Sequence, residues 1–358
     1  MMEFAVNGRF LGQQVTGVQR FGRETLREIT DRCRMDGNSR MEILLPAAND
    51  SPSASPHPDL TRPYGCLHGH AWEQLQLPTA TAGLPLINFC NTAPIFCRNQ
   101  VVVLHDVMVA AFPQNFTPAF RLWYLTMIRG YIRTGARLAT VSRFSADEIS
   151  RHFGVPLKKI TVIPESGEHF RDVPADPGIL EKHGLEPDRY FLAASSAAPN
   201  KNFTALIQAA HQLKLKDFKF VIVGGANQRV FASKSGTDFE NAVVRTGYVS
   251  DGELRTLYQN AACFIFPSFY EGFGLPPLEA MSCGSPVIVA RAASMPEVCG
   301  DSAVYCDPHN VESLVAAISR MRDNPQLRAE LRQKGLEQSL HWRWKDAGDA
   351  ILDLLDRV

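Results

Sequence analysis

No apolar run in this 358-residue chain approaches the ~20 residues that a helix needs to cross a bilayer. Lys plus Arg (37) equals Asp plus Glu (37), so no whole-molecule field draws the chain to nucleic acid, and no nucleic-acid partner is expected. Its eight cysteines contain no Cys-x-x-Cys pair, and several sit inside apolar runs, as Cys263 does in "ACFIF". That pattern predicts reduced core thiols of a cytoplasmic protein. Glu3, Asn7 and Arg9 interrupt the opening before the apolar core of a signal peptide could form. No Asp-x-Asp motif appears, so neither a catalytic metal nor a cofactor is expected. His68 and His70, half a metal site at most, read as solvated loop residues.

What is present is a repeated alternation. Short runs rich in Val, Ile and Phe alternate with longer amphipathic segments, which predicts parallel sheets flanked by helices. In the first half the candidate strands are "EFAV", "EILL", "LINFC", "VVVL", "LATV" and "ITVI". A second series follows: "YFLAAS", "FKFVIVGG", "VVRTGYV", "ACFIF" and "PVIVA". Between them lies the polar "RDVPADPGILEKHGLEPDRY", which places a domain boundary near Arg171. The expected architecture is therefore α/β, with two doubly wound Rossmann-like domains over 1–170 and 171–340. Residues 49–63, "NDSPSASPHPDLTRP", read as an exposed loop. Residues 341–358 read as a closing helix, with Trp344, Ala347, Ile351, Leu354 and Leu355 on one face, packing back toward the first domain. Two such domains would leave a cleft between them, and ligands of such sheets bind beyond the carboxyl ends of the strands.

One loop there is unusually informative. "SFYEGFGLPPLEAMSCGSPV", residues 268–287, sets Glu271 and Glu279 with seven residues between them, around two glycines and two adjacent prolines. The prolines suit the first turn of a short helix ending near Gly284. Amides from Gly272 through Phe273 and Gly274 to Leu275 would precede its N-terminus, where a phosphate is well received. Carboxylates repel a phosphate but bind hydroxyls, so the pair fits a phosphate flanked by two sugars. In isolation, Glu279 as a helix-start charge and Glu271 as a solvated side chain would explain the pair equally well.

The full string "EGFGLPPLEAMSCGSPVI" resembles the donor-site motif of the retaining glycosyltransferases of family 4, whose GT-B architecture has two facing Rossmann-like domains. The likeness runs nearly unbroken from Thr246 to Ile318 and implies no metal requirement. By this resemblance Glu271 contacts the transferred sugar and Glu279 the ribose, while the amides around Phe273 to Leu275 hold sugar and diphosphate. "SSAAPNKNFTALIQA" resembles the family's basic segment, with Lys201 as the cation on the diphosphate. The chain departs from the family in having Asn200 and Ser195 where arginines are frequent, and Asn200 is still expected on the donor side. Val249 and Ser250 fall in the nucleobase segment, where Ser250 or Asp251 serves equally as a helix cap. Gly224 ends the strand "VIVGG" near the same cleft and is expected on the donor side, although the segment lacks the spacing of a nicotinamide fingerprint.

In the first half, "TGVQRFGRETLREI" resembles the family's glycine loop, with Thr16 and Gly17 beside the diphosphate and Arg20 facing the cleft. A capped amphipathic helix explains the same residues. "VVVLHD" places His105 near the transferred sugar, with a structural role for Asp106, although a His after a strand is as often structural. Ser142 and Arg143 occupy a further strand-to-helix junction of the family.

The implied function is transfer of a hexose or deoxyhexose, mannose favoured, from a GDP-, UDP- or dTDP-sugar to a glycan or polyprenyl-diphosphate-linked glycan in surface polysaccharide assembly. Its catalytic residues would be His105, Lys201 and Glu271. A catalytically silent nucleotide-sugar-binding protein and a nicotinamide oxidoreductase are the alternatives. From Arg98 to Lys159 there are nine Lys or Arg against three Asp or Glu. Arg121, Arg129, Arg133 and Arg137 interleave with apolar residues, which predicts either a solvated basic helix face or a surface that meets a lipid-diphosphate acceptor or an anionic membrane at the inner face of the cell membrane.

Overall fold

The structure is a computed structural model that describes residues 2–37, 39–47, 55–81, 83–194, 198–214, 217–224 and 243–357. Ser195 and Gly225 lie outside the described residues. The chain divides into two compact units, Met1–Glu165 with Trp344–Val358, and Ser166–Arg343.

Unit 1 contains seven parallel strands: β1 (Met2–Asn7), β2 (Ser39–Pro46), β3 (Thr61–Tyr64), β4 (Leu86–Asn88), β5 (Gln100–Val103), β6 (Arg137–Thr140) and β7 (Ile160–Val162). Their spatial order is β3-β2-β1-β4-β5-β6-β7, so the winding direction reverses between β1 and β4. Six of the seven follow the expected apolar runs. The seventh, β3, is "TRPY", partly inside the expected loop; it pairs only with β2, as an edge strand containing Pro63 should.

Unit 2 contains six parallel strands: β8 (Tyr190–Ala194), β9 (Lys219–Val223), β10 (Val243–Gly247), β11 (Cys263–Phe266), β12 (Val287–Ala290) and β13 (Ala303–Cys306). The order is β10-β9-β8-β11-β12-β13, with its reversal between β8 and β11. Their inward residues join the helices Phe203–Leu213 and Val311–Asp323 in one apolar core, with Phe191, Ile265, Ile288, Leu314 and Ile318 buried. All eight cysteines are free thiols. Burial pushes the Cys299 and Cys306 thiols up to about 12, which keeps them protonated and unreactive at neutral pH. Among the described residues, no helix is long and apolar enough to cross a membrane.

The first passage between units falls at Glu165/Ser166, ahead of Arg171, and the second at Arg343/Trp344. The earlier position has a packing cause. A Cβ on Gly167 would sit 2.6 Å from the Leu278 carbonyl oxygen, so this glycine lets the backbone lie directly on the helix Leu275–Ser282. The Ser282 hydroxyl donates to the Gly167 carbonyl at 2.8 Å and fixes that approach.

The closing helix, Trp344–Leu355, buries Trp344, Ala347, Ile351, Leu354 and Leu355 within unit 1. Trp344 meets Phe21 edge-on at 5.9 Å, and Asp349 pairs with Arg32 at 3.3 Å on the helix Gly17–Asp36. Trp344→Ala should lower unfolding stability by about 3–5 kcal/mol in urea denaturation, and a loss under about 1 kcal/mol would show that the helix adds little to unit 1.

Candidate functional site

In unit 2 the informative loops meet where the winding reverses. The loop after β8 brings Lys201, and the loop after β11 brings Glu271. Lys201 Nζ donates to both carboxylate oxygens, at 2.7 and 2.9 Å, with both side chains largely buried. The ammonium also lies 5.4 Å from the centre of the Phe266 ring. A cation and an anion are thus held opposite each other at the carboxyl ends of β8 and β11, the position where such sheets receive ligands.

Several groups fix this pairing. Asn200 donates its side-chain amide to the Tyr270 carbonyl at 3.1 Å, and its own carbonyl accepts from the Phe269 amide at 2.8 Å. It is buried and staples one loop to the other. Asn202, at φ 55°, donates its amide to the carbonyls of Pro267 and Pro308. The Ser294 hydroxyl contacts the carbonyls of Glu271 and Phe273, at 3.0 and 2.6 Å. Phe273 has its ring buried edge-on against Trp342, 5.4 Å between centroids, so only its backbone is offered to a ligand.

Gly274 stands at φ 104° as the cap of the helix Leu275–Ser282. Pro276 and Pro277 carry no N–H, so the amides at this helix start are those of Gly274 and Leu275. One turn on, Glu279 is only 8% exposed. Its Oε1 is 3.2 Å from His169 Nε2, and its Oε2 accepts from the Tyr258 hydroxyl at 3.3 Å. Burial, then the Glu279 charge, drives the Tyr258 phenol far above its ordinary value, so it stays a donor. The carboxylate is thus oriented from behind by two aromatic residues. The sequence reading missed His169 and Tyr258; each looks like an ordinary apolar-face residue until the fold brings it to Glu279.

The remaining donor-side candidates separate by role. Ser250 caps the helix Asp251–Asn260: its hydroxyl accepts from the Glu253 amide at 3.2 Å, while its own amide donates to the Glu253 carboxylate at 2.7 Å. Val249 is half-buried just before it. Gly224 follows β9 at φ 113°, with its amide on the Gly247 carbonyl at 2.9 Å.

In unit 1, Gly17 opens its helix with nothing within 4 Å of where a Cβ would be, among the described residues. Thr16 and Gln19 form the capping box of that helix, and Arg20 lies 3.8 Å from Glu24. His105 is only 4% exposed. Its Nδ1 faces Glu165 at 3.1 Å, its Nε2 faces the Phe89 carbonyl at 2.8 Å, and its ring stands edge-on to Phe21. Both ring nitrogens are engaged by the protein, which is the setting of a positioning residue rather than one offered to a sugar. Asp106 accepts from the Met108 amide at 2.8 Å. Ser142 caps the helix Arg143–Phe153.

The basic helix face differs from expectation. The helix is Pro118–Arg133, so Arg137 lies outside it, in β6, with its guanidinium on the Arg357 carbonyl at 2.9 Å. Arg129 lies over the Phe153 ring at 6.0 Å. Arg121 and Arg133 alone of the four have no such internal contact among the described residues. His70, expected to be solvated, is bound to Glu73 at 3.0 Å.

The chain thus carries two doubly wound parallel sheets, one with an opposed Lys–Glu pair and a proline-started helix at its reversal. Residues 177–338 match the family "Glycosyl transferases group 1". The chain is 33% identical over 260 residues to the O-antigen chain mannosyltransferase B of Escherichia coli, covering 70% of this chain and 68% of that protein. It is 26% identical over 344 residues to the serotype-specific mannosyltransferase WbdA of Escherichia coli, covering 92% of this chain but only 40% of the relative. Among solved structures, Anabaena Alr3699/HepE in complex with UDP and glucose matches with a TM-score of 0.75 at 17% identity, over 100% of both chains. The chain therefore belongs to the group 1 glycosyl transferases, and its fold is that of GT-B glycosyltransferases.

A Cβ on Gly274 would meet the Met295 side chain at 2.0 Å, at a backbone angle that L-residues rarely adopt. Gly274→Ala should destabilise unit 2 by about 1–3 kcal/mol in chemical denaturation, and an unchanged midpoint would contradict this packing.

Proposed function

We propose that this glycosyltransferase moves mannose, with retention of configuration and without a metal, from a nucleotide sugar to a glycan acceptor, free or lipid-linked, in bacterial surface polysaccharide assembly at the cytoplasmic side of the membrane. The observation that carries the reading is the Lys201–Glu271 pair opposed across the reversal of unit 2, with the oriented Glu279 one turn into the helix that follows Gly274. The relatives named as O-antigen mannosyltransferases support mannose as the sugar.

The chemistry follows from the charges. The bond from the sugar C1 to the diphosphate oxygen breaks, and the departing diphosphate gains negative charge that Lys201 neutralises. The acceptor hydroxyl bonds to C1 on the same face, and its proton passes to the leaving phosphate oxygen. The amides of Gly274 and Leu275 hold the phosphates at the helix start. Glu271, relieved of Lys201 when the diphosphate takes that ammonium, accepts hydroxyls of the sugar. Glu279, steadied by His169 and Tyr258, accepts ribose hydroxyls. In unit 1, Gly17 offers an open backbone approach and His105 holds its own loop in place.

Incubation with GDP-, UDP- and dTDP-sugars, following nucleotide release, should single out GDP-mannose. Product NMR should show the anomeric configuration of the donor, and a chelator should leave the rate unchanged. Inverted product would overturn retention, a chelator-sensitive rate would overturn metal independence, and no turnover of any donor would overturn the reading.

Loss of one hydrogen-bonding group on the ribose carboxylate is worth about 1–1.5 kcal/mol, or about tenfold. Glu279→Gln should therefore raise donor KM by about that factor while kcat stays within about twofold, and Tyr258→Phe should do the same more weakly. A collapse of kcat with donor KM unmoved would remove Glu279 from ribose binding.

A further inference from the structure

Unit 1 has a reversal of its own, between β1 and β4, and it is built around a charge. Glu73 has no solvent exposure, yet it is a carboxylate at the carboxyl ends of these two strands. Oε1 accepts from Asn7 Nδ2 at 2.8 Å, from the Thr92 hydroxyl at 2.8 Å and from Arg9 Nε at 3.3 Å. Oε2 faces His70 Nδ1 at 3.0 Å. Arg9 also donates to Thr92 at 2.7 Å, and Asn7 to Asn88 at 3.0 Å. Burial pushes the Glu73 carboxyl up, but the His70 hydrogen bond, the Arg9 charge and the Thr92 and Asn7 hydrogen bonds outweigh it and hold the group below its ordinary value.

A core that needed only to be filled would use an apolar side chain there, since a buried charge is costly and adds little net stability. The network instead reaches the surface through one residue. His70 is 39% exposed, and its ring lies 5.9 Å from that of Trp123, itself 38% exposed, at an angle of 63°. Nδ1 is committed to Glu73, which leaves Nε2 as the ring's remaining polar atom, and no protein partner for Nε2 lies among the described residues. A fixed imidazole nitrogen beside an exposed indole combines a hydroxyl partner with a flat apolar platform. That combination suits a sugar ring, which has hydroxyls at its rim and C–H groups on its face.

We propose that His70 and Trp123 form a carbohydrate subsite on unit 1 that binds one neutral hexose of the acceptor glycan. The indole supports the ring face, Nε2 accepts a sugar hydroxyl, and the Glu73–Arg9–Asn7–Thr92 network is the rigid base that sets the imidazole. A neutral ligand is favoured over a phosphate because Arg9 is already spent on Glu73 and Thr92, which leaves the base without excess positive charge. This subsite rests on the glycosyltransferase reading for the identity of its ligand, but its binding can be measured without turnover.

The test uses the full chain, its Trp123→Ala, Trp123→Phe and His70→Gln variants, GDP-mannose as donor and an α-linked mannobiose as acceptor. Trp123→Ala and His70→Gln should raise acceptor KM by about tenfold while donor KM moves by less than about twofold, with Trp123→Phe recovering part of the loss. Should the wild type turn over no donor, the functional reading fails, and saturation-transfer NMR with methyl α-mannoside decides the subsite alone. Transfer from aromatic protons that disappears in Trp123→Ala supports the subsite, and absence of such transfer overturns it. Phe120 and Leu122 are exposed on the same helix, so sedimentation with phosphatidylglycerol-containing vesicles is run in parallel. Vesicle binding lost in Trp123→Ala with acceptor KM unmoved would make the indole a membrane anchor and overturn the proposal.

Discussion

The ion pair between Lys201 and Glu271 joins the loops that follow β8 and β11, and the arrangement of unit 2 is organised around it. Two strands adjacent in space but separated by some 70 residues deliver opposite charges to one point. Left unliganded, each charge satisfies the other. In the proposed function a diphosphate sugar would supply both replacements together, an anion for the lysine and hydroxyls for the carboxylate. Binding can then exchange one complete set of partners for another without stranding a buried charge, which would cost several kcal/mol.

Holding that pair requires the surrounding backbone to be exact in position, and the packing shows how this is achieved. Asn200 and Asn202 tie the two loops to each other, and Ser294 ties the Glu271 loop to the following segment. Gly274 turns the chain where Met295 leaves no room for a side chain, and the helix that starts there carries Glu279. His169 and Tyr258 then support Glu279. In unit 1 a comparable polar centre, Glu73 with its donors, occupies the other reversal. Each sheet thus places an enclosed carboxylate network where its winding changes direction.

Much of this was legible from residue order. The apolar runs marked eleven strands because parallel strands are buried on both faces, and the Glu271–Glu279 segment showed its turn, its helix start and its spacing. The edge strands β3 and β13 escaped because "TRPY" and "AVYC" are short and pair on one side only. The partners of Glu279 escaped for another reason: His169 and Tyr258 are 110 and 21 residues away in sequence, and only the fold joins them. Asn200, expected on the donor side, joins the two loops through Phe269 and Tyr270, which residue order does not show. His105 likewise has both nitrogens engaged inside unit 1. A periodic run of arginines suggested one basic face, but periodicity cannot show that a helix stops at Arg133 or that Arg129 folds onto Phe153.

The division of labour within the ion pair is the central claim, and calorimetric titration of GDP into the wild type, Lys201→Ala and Glu271→Ala tests it most directly. GDP carries the diphosphate but no transferred sugar, so it reads the lysine and not the carboxylate. Lys201→Ala is predicted to weaken GDP by about tenfold or more, as loss of a charge-assisted contact should, whereas Glu271→Ala, which frees the ammonium, is predicted to leave GDP binding equal or tighter. Equal weakening in the two variants would contradict the account.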